Sequence, residues 1–101
     1  MPKKYKTAEE ALAAYEELCG DARELLAGDP NPEYPEYKGK SISEVHELFE
    51  KWQIEEAYKI VQRQNELVDA LDFDTVEESD KYYSSIRECE ALDKIRRMVG
   101  E

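Results

Sequence analysis

The sequence has few residues of several chemically informative types, and each shortage excludes a class of protein. It contains one histidine, two cysteines, four glycines, and 14 lysines and arginines against 25 aspartates and glutamates. The resulting formal charge of −11 is opposite to that of a protein that binds nucleic acid directly through its phosphates. The sequence also lacks an apolar run of the roughly 18 residues that would span a bilayer, so we expect no membrane partner.

The start of the chain and the cysteines indicate a cytoplasmic protein. Lysines near the start are followed at once by Glu9 and Glu10, where a signal peptide continues with an apolar stretch. Cys19 and Cys89 lie far apart in the sequence and outside any CxxC or Cys/His cluster. This placement indicates buried free thiols rather than a metal or redox site.

Three capping boxes divide the chain into helices. Each is a threonine or serine followed three residues later by glutamate: Thr7 with Glu10, Ser41 with Glu44, and Thr75 with Glu78. We predict helix 1 over about 7–27, a loop over 28–40, helix 2 over about 41–71 and helix 3 over about 75–99. The 101 residues suit a single domain. The predicted fold is an all-α three-helix bundle in which the short connection folds helices 2 and 3 into a long antiparallel hairpin.

The apolar face of helix 2 rotates along the helix. On a helical wheel with Ile42 at 0° and about 100° per residue, the apolar residues between Val45 and Trp52 centre near about 290°. The later apolar residues of the helix centre near about 50°. Helix 3 changes face in the same way. Either helix 3 breaks near Glu88 to Glu90, or its halves bury against different neighbours. A second subunit, as in a homodimer, or a partner protein can cover a face left over, and a distorted monomeric bundle is the alternative.

The loop between helices 1 and 2 is rich in proline and tyrosine. It contains every proline except Pro2, and Pro-Glu-Tyr occurs twice in tandem. In a polyproline II segment Tyr34 and Tyr37 project on the same side. They either lie back over the open end of the bundle or contact a partner.

Signatures of catalysis are scarce. His46, the only histidine, borders the apolar face of helix 2, where packing histidines are more common than catalytic ones. The sequence has no Gly-rich phosphate loop, HExxH motif or calcium loop. We therefore expect no catalytic residue, no metal site and no cofactor.

Paired carboxylates offer the strongest enzymatic alternative. Glu66 and Asp69 have the ExxD spacing that lets neighbouring helical carboxylates bridge magnesium, and Glu55 and Glu56 stand upstream. This set resembles the EExxE and ExxD motifs of the all-α nucleotide pyrophosphohydrolases of the MazG type. The resemblance implies magnesium held inside a helical bundle and hydrolysis of a nucleotide. Lys59 occupies the last position of the EExxE motif, which departs from that pattern.

Helix 1 has an acidic face that the helix itself does not neutralise. Six acids stand against Arg23 alone: Glu9, Glu10, Glu16, Glu17, Asp21 and Glu24. They share an arc from about 80° to 220°, opposite the apolar residues, whereas many acids of helices 2 and 3 have a base four residues later with which we expect them to pair. The face either serves solubility or presents a row of negative charges to a basic partner.

Taken together, the sequence predicts a small acidic, non-enzymatic protein-binding module. In size, charge and helicity it resembles the small phage-encoded inhibitors of host defence systems, the anti-CRISPR type. That resemblance implies an inhibitor or nucleic-acid mimic docked on a basic surface of a nucleic-acid-handling partner. The predicted contact residues are the six acids of helix 1 with Tyr34, Tyr37 and Trp52 as aromatic anchors. The alternatives are the magnesium enzyme and a structural homo-oligomeric helical adaptor.

Overall fold

In a computed structural model, which describes residues 3–28 and 35–100 except the side chain of Glu36, the protein is all-α, as predicted. Its described helices are α1 (Ala8–Ala27), α2 (Ile42–Asp69), α3 (Val76–Ser85) and α4 (Glu90–Met98), with a 3₁₀ turn at Pro35–Tyr37. Within these ranges no helix combines the length and the apolar character needed to cross a bilayer.

The capping residues start the helices where the sequence places them. The side-chain oxygens of Thr7, Ser41 and Thr75 accept from the backbone N–H groups of Glu10, Glu44 and Glu78 at 3.3, 3.2 and 3.2 Å. At the third box the glutamate side chain has another partner. The Glu78 carboxylate accepts from the backbone N–H of Ala8 at 2.7 Å and so caps α1 from α3. A carboxylate in this place satisfies a free donor and interacts favourably with the helix dipole.

We expect Glu78→Ala to lower the free energy of unfolding by about 1–2 kcal/mol, because it removes the acceptor that joins α3 to the start of α1. Urea unfolding followed by far-UV circular dichroism measures the loss. Glu77→Ala, at an exposed position in the same first turn, is the control and should change stability by about 0.5 kcal/mol or less. Equal losses in the two variants would contradict a capping role for Glu78.

The segment predicted as helix 3 forms two helices, α3 and α4, which agrees with the alternative of a break near Glu88 to Glu90. Ile86–Cys89 is not helical, and Ile86 has an extended backbone with φ −66° and ψ 133°. The break lets both halves bury their apolar residues: Tyr82 is buried on α3, whereas Leu92 and Ile95 are buried on α4. A straight helix would have exposed one of these faces. The change of face in the sequence therefore reflects a break.

The predicted hairpin of helices 2 and 3 is not confirmed, because the break turns α3 toward α1 and only α4 packs closely against α2. α2 packs against α1 and α4, whereas α3 packs against α1. α1 therefore contacts each of the other three helices, and the described architecture has four helices rather than three. Its extents are 57 × 29 × 23 Å, so the molecule is elongated.

The N-terminal segment is held along the end of α2. The backbone N–H of Tyr5 donates to the carbonyl of Ala70 at 2.9 Å, and that of Asp72 donates to the carbonyl of Tyr5 at 3.0 Å. Lys6 Nζ lies 2.5 Å from Asp72 Oδ2. This hydrogen-bonded ion pair raises the pKa of Lys6 and lowers the pKa of Asp72.

The core consists of two clusters. The larger joins α1, α2 and α4 through Leu18, Cys19, Ala22, Leu25, Ala57, Ile60, Val61, Leu67, Cys89, Ala91, Leu92 and Ile95. The smaller joins α1 and α3 through Ala8, Ala11 and Tyr82. Both cysteines are free and buried, as predicted. Burial raises the pKa of Cys19 to about 12, which favours the protonated thiol at neutral pH.

Candidate partner-binding surface

The acidic residues of α1 lie on its solvent side. Glu9, Glu10, Glu16, Glu17 and Glu24 are exposed, while the apolar residues of the helix face the core. None of these five forms an ion pair with another residue in the part of the chain that the structure describes. The face therefore presents five negative charges fixed to one rigid helix.

Asp21 differs from the other acids of this face. Its Oδ2 lies 2.8 Å from Nη1 of Arg63 on α2, and both side chains are half-buried. The expectation that the chain leaves the whole face unneutralised is therefore wrong at this position. Pairs this accessible to solvent stabilise a fold by about 1 kcal/mol or less. The pair does remove Asp21 from the set of acids free to contact a partner.

The aromatic residues predicted as anchors have different surroundings. Trp52 has 46% of its surface exposed, and its ring centroid lies 5.6 Å from that of Phe49. Tyr37 is buried with only 8% exposed, which removes it from the contact surface and agrees with the interpretation that it lies back on the bundle. Tyr34 lies outside the described residues. Of the predicted aromatic anchors that the structure describes, Trp52 is therefore the one that a partner can reach.

Contacts between α1 and α2 bring Trp52 to the side of the molecule that carries the acids. Trp52 and Arg63 lie on one stripe of α2, because 11 residues make about three helical turns. Arg63 binds Asp21 on the acidic face. Gln53, next to Trp52, donates through Nε2 to the carbonyl of Leu25 at 3.1 Å. Trp52 therefore lies beside the C-terminal end of α1, at the edge of the acidic face rather than within it.

Sequence reasoning missed the residues that join these helices. Arg63 and Asp21 are 42 positions apart, and Gln53 and Leu25 are 28 apart. No local pattern links such positions. Their pairing depends on the register in which α1 and α2 pack. The signal in the sequence that bears on this register is the hydrophobic periodicity of the two helices.

The carboxylates of the enzymatic alternative lie on the outside of α2. Glu66 and Asp69 are exposed and line a groove of about 520 Å³ together with Glu17 and the cationic side chains of Lys3, Lys4 and Arg63. Across the described ranges, no group of three or more histidine, cysteine, aspartate or glutamate side chains has an arrangement that could hold a metal ion. Glu66 and Asp69 thus lie on the surface, whereas the resemblance to the MazG-type enzymes implies a magnesium site inside the bundle.

Comparison with known proteins gives no match to a family model, a curated protein or a solved structure. The function is therefore argued from the surface itself.

Proposed function

We propose that this protein is a small acidic binding module that docks through the outer face of α1 on a basic surface of a nucleic-acid-handling protein. It acts there as an inhibitor or nucleic-acid mimic without catalysing a reaction. The observation that carries the proposal is the excess of negative charge on α1, which exposes five acids on its outer side and contains a single base, Arg23.

The geometry of a helix suits such mimicry. Glu10, Glu17 and Glu24 follow one another at seven-residue intervals, which separates them by about 10 Å at 1.5 Å per residue. Measured along the axis of a DNA duplex, that interval is about three times the 3.4 Å rise per phosphate of one strand. Because the helix is rigid, the charges keep this spacing before binding, and little order has to be gained on contact.

The net charge supports a basic protein as the partner. At −11, the chain attracts positive surfaces over distances up to the Debye length of about 8–10 Å and speeds their association. The same charge repels nucleic acid and opposes pairing with a second copy. A cytoplasmic location is part of the proposal and is supported by the two free, buried thiols.

The test replaces Glu10, Glu17 and Glu24 together by lysine. Affinity capture from host extract with the wild-type chain identifies the partner, and the purified pair then gives the association rate and the displacement of a labelled oligonucleotide. We expect the variant to associate at least about tenfold more slowly at low salt, because steering by charge accounts for factors of this size. Wild-type protein should displace the oligonucleotide.

The matched control changes net charge equally at a different place. Replacing Glu77, Asp80 and Glu88 by lysine alters exposed acids of α3 and of the segment that follows it, and the rate should stay within about twofold if position on α1 matters more than total charge. Equal slowing by both triple variants, or a bound partner that keeps its oligonucleotide, would refute the mimic.

A further inference from the structure

The first half of α2 carries an exposed apolar patch, which we call the Trp52 patch and define as Leu48, Phe49 and Trp52. These side chains are three or four residues apart and therefore adjacent on the helix. Leu48 and Trp52 are 38% and 46% exposed, although Val45, one turn before them, is buried with 4% exposed.

The patch is exposed because α1 ends beside it. α1 and α2 are antiparallel, as the contacts of Asp21 with Arg63 and of Leu25 with Gln53 show. A Cβ atom placed on Gly28, just after the end of α1, would lie 3.7 Å from the Phe49 ring. The first turns of α2 therefore extend beyond α1, and Ile42 at their start is 78% exposed.

Two unpaired acids lie beside the Trp52 patch. Glu44 and Glu55 are exposed on the same side of α2 and form no ion pair with another described residue, whereas Glu56 pairs with Lys59 at 3.1 Å. In a helix, Glu44 neighbours Leu48, and Glu55 neighbours Trp52. An exposed tryptophan with an acidic border favours a partner that supplies apolar and positively charged side chains together, because charges at the border then attract while the apolar centre is buried.

We propose that the Trp52 patch is the docking site for a basic amphipathic segment of a partner protein. An apolar side chain of that segment packs between Leu48 and Trp52, and its lysines or arginines lie beside Glu44 and Glu55. A second copy of this chain fits less well, because it would place two acidic borders against each other. The inference rests on the proposed function in taking the same kind of basic partner, but it assigns a second surface to the contact.

Trp52 provides the readout, since it is the only tryptophan in the sequence. The full chain is titrated with a synthetic amphipathic helix of lysine and leucine while the emission of Trp52 is recorded. We expect a shift to shorter wavelength as the indole leaves water. Leu48→Ser should weaken binding about tenfold or more, because apolar contacts at the centre of an interface dominate its affinity.

Ile54→Ser is the matched control. Ile54 is as exposed as Trp52, at 46%, but it lies about 160° further around α2, so its replacement should leave peptide binding unchanged. A peptide with glutamate in place of lysine should not bind. Equal binding of both peptides, equal effects of the two serine substitutions, or no emission change with the lysine peptide would each overturn the assignment.

Three further outcomes separate this inference from the proposed function. If sedimentation shows that the wild-type chain self-associates and Leu48→Ser prevents it, the occupant is a second copy and the inference fails. If the Glu10, Glu17 and Glu24 lysine variant keeps both peptide binding and its association rate with the captured partner, the role of α1 fails and the Trp52 patch stands. Loss of peptide binding in that variant but not in Leu48→Ser would refute the patch alone.

Discussion

Replacing Ile95 by alanine is expected to lower the free energy of unfolding by about 2–5 kcal/mol. Ile95 has no exposed surface, and its neighbour in the core, Leu92, is 1% exposed. Shortening the side chain leaves a cavity where α4 meets α1 and α2, so the protein loses both the burial of the removed atoms and their packing contacts. Domains of this size are commonly stable by about 5–15 kcal/mol, so the variant should be close to unfolding.

Ile42→Ala is the control for this experiment, because it removes the same atoms from a residue that is 78% exposed. Its stability should stay within about 0.5 kcal/mol of wild type. Urea unfolding monitored by circular dichroism measures both variants, and the slope of the transition should be similar in each. A loss of less than about 1 kcal/mol for Ile95→Ala, well under the cost of a core cavity, would show that α4 does not dock as described.

Proline is expected to be tolerated at position 87 but to cost about 3 kcal/mol or more at position 81. Proline requires an extended residue before it, and Ile86 already has that conformation. Arg87→Pro also keeps the backbone carbonyl that accepts from the Tyr15 hydroxyl at 2.9 Å. Lys81 is exposed in the middle of α3, so Lys81→Pro acts through the helix backbone alone.

The comparison of these two proline variants tests the break between α3 and α4. Unfolding in urea gives the stability of each variant, and ellipticity at about 222 nm gives its helical content. We expect Arg87→Pro to remain within about 1 kcal/mol of wild type, since it breaks no helical hydrogen bond. If both prolines were equally damaging, residues 76–98 would have to form one continuous helix.

The all-α class and the starts of three helices could be predicted because their causes are local. A side chain such as Thr75 reaches a backbone N–H only three residues ahead, so a short pattern contains all the information. The break before Glu90 is different. Cys89 at the N-cap position makes no side-chain capping bond, and its segment has neither glycine nor proline, so the sequence shows a change of apolar face without a local stop signal.

For the candidate surface, too, the features with a local cause were predictable and the others were not. The acidic arc of α1 follows from helical periodicity, and its five exposed glutamates lie where the arc places them. The pairing of Asp21 with Arg63 was not predictable, and the sequence left open whether Tyr37 packs on the bundle or contacts a partner. Both outcomes depend on which element packs next to the residue, and no local pattern specifies that.

The sequence by itself determined the helical class, the capped starts of α1, α2 and α3, the buried thiols and the acidic face of α1, because periodicity and short-range hydrogen bonds act within a few residues. Only the tertiary structure decided that helix 3 is two helices, that Glu78 caps α1, and that the Trp52 patch lies beyond the end of α1. These features depend on the register and ends of helices packed against one another, and burial of the whole core, rather than any single segment, selects that arrangement.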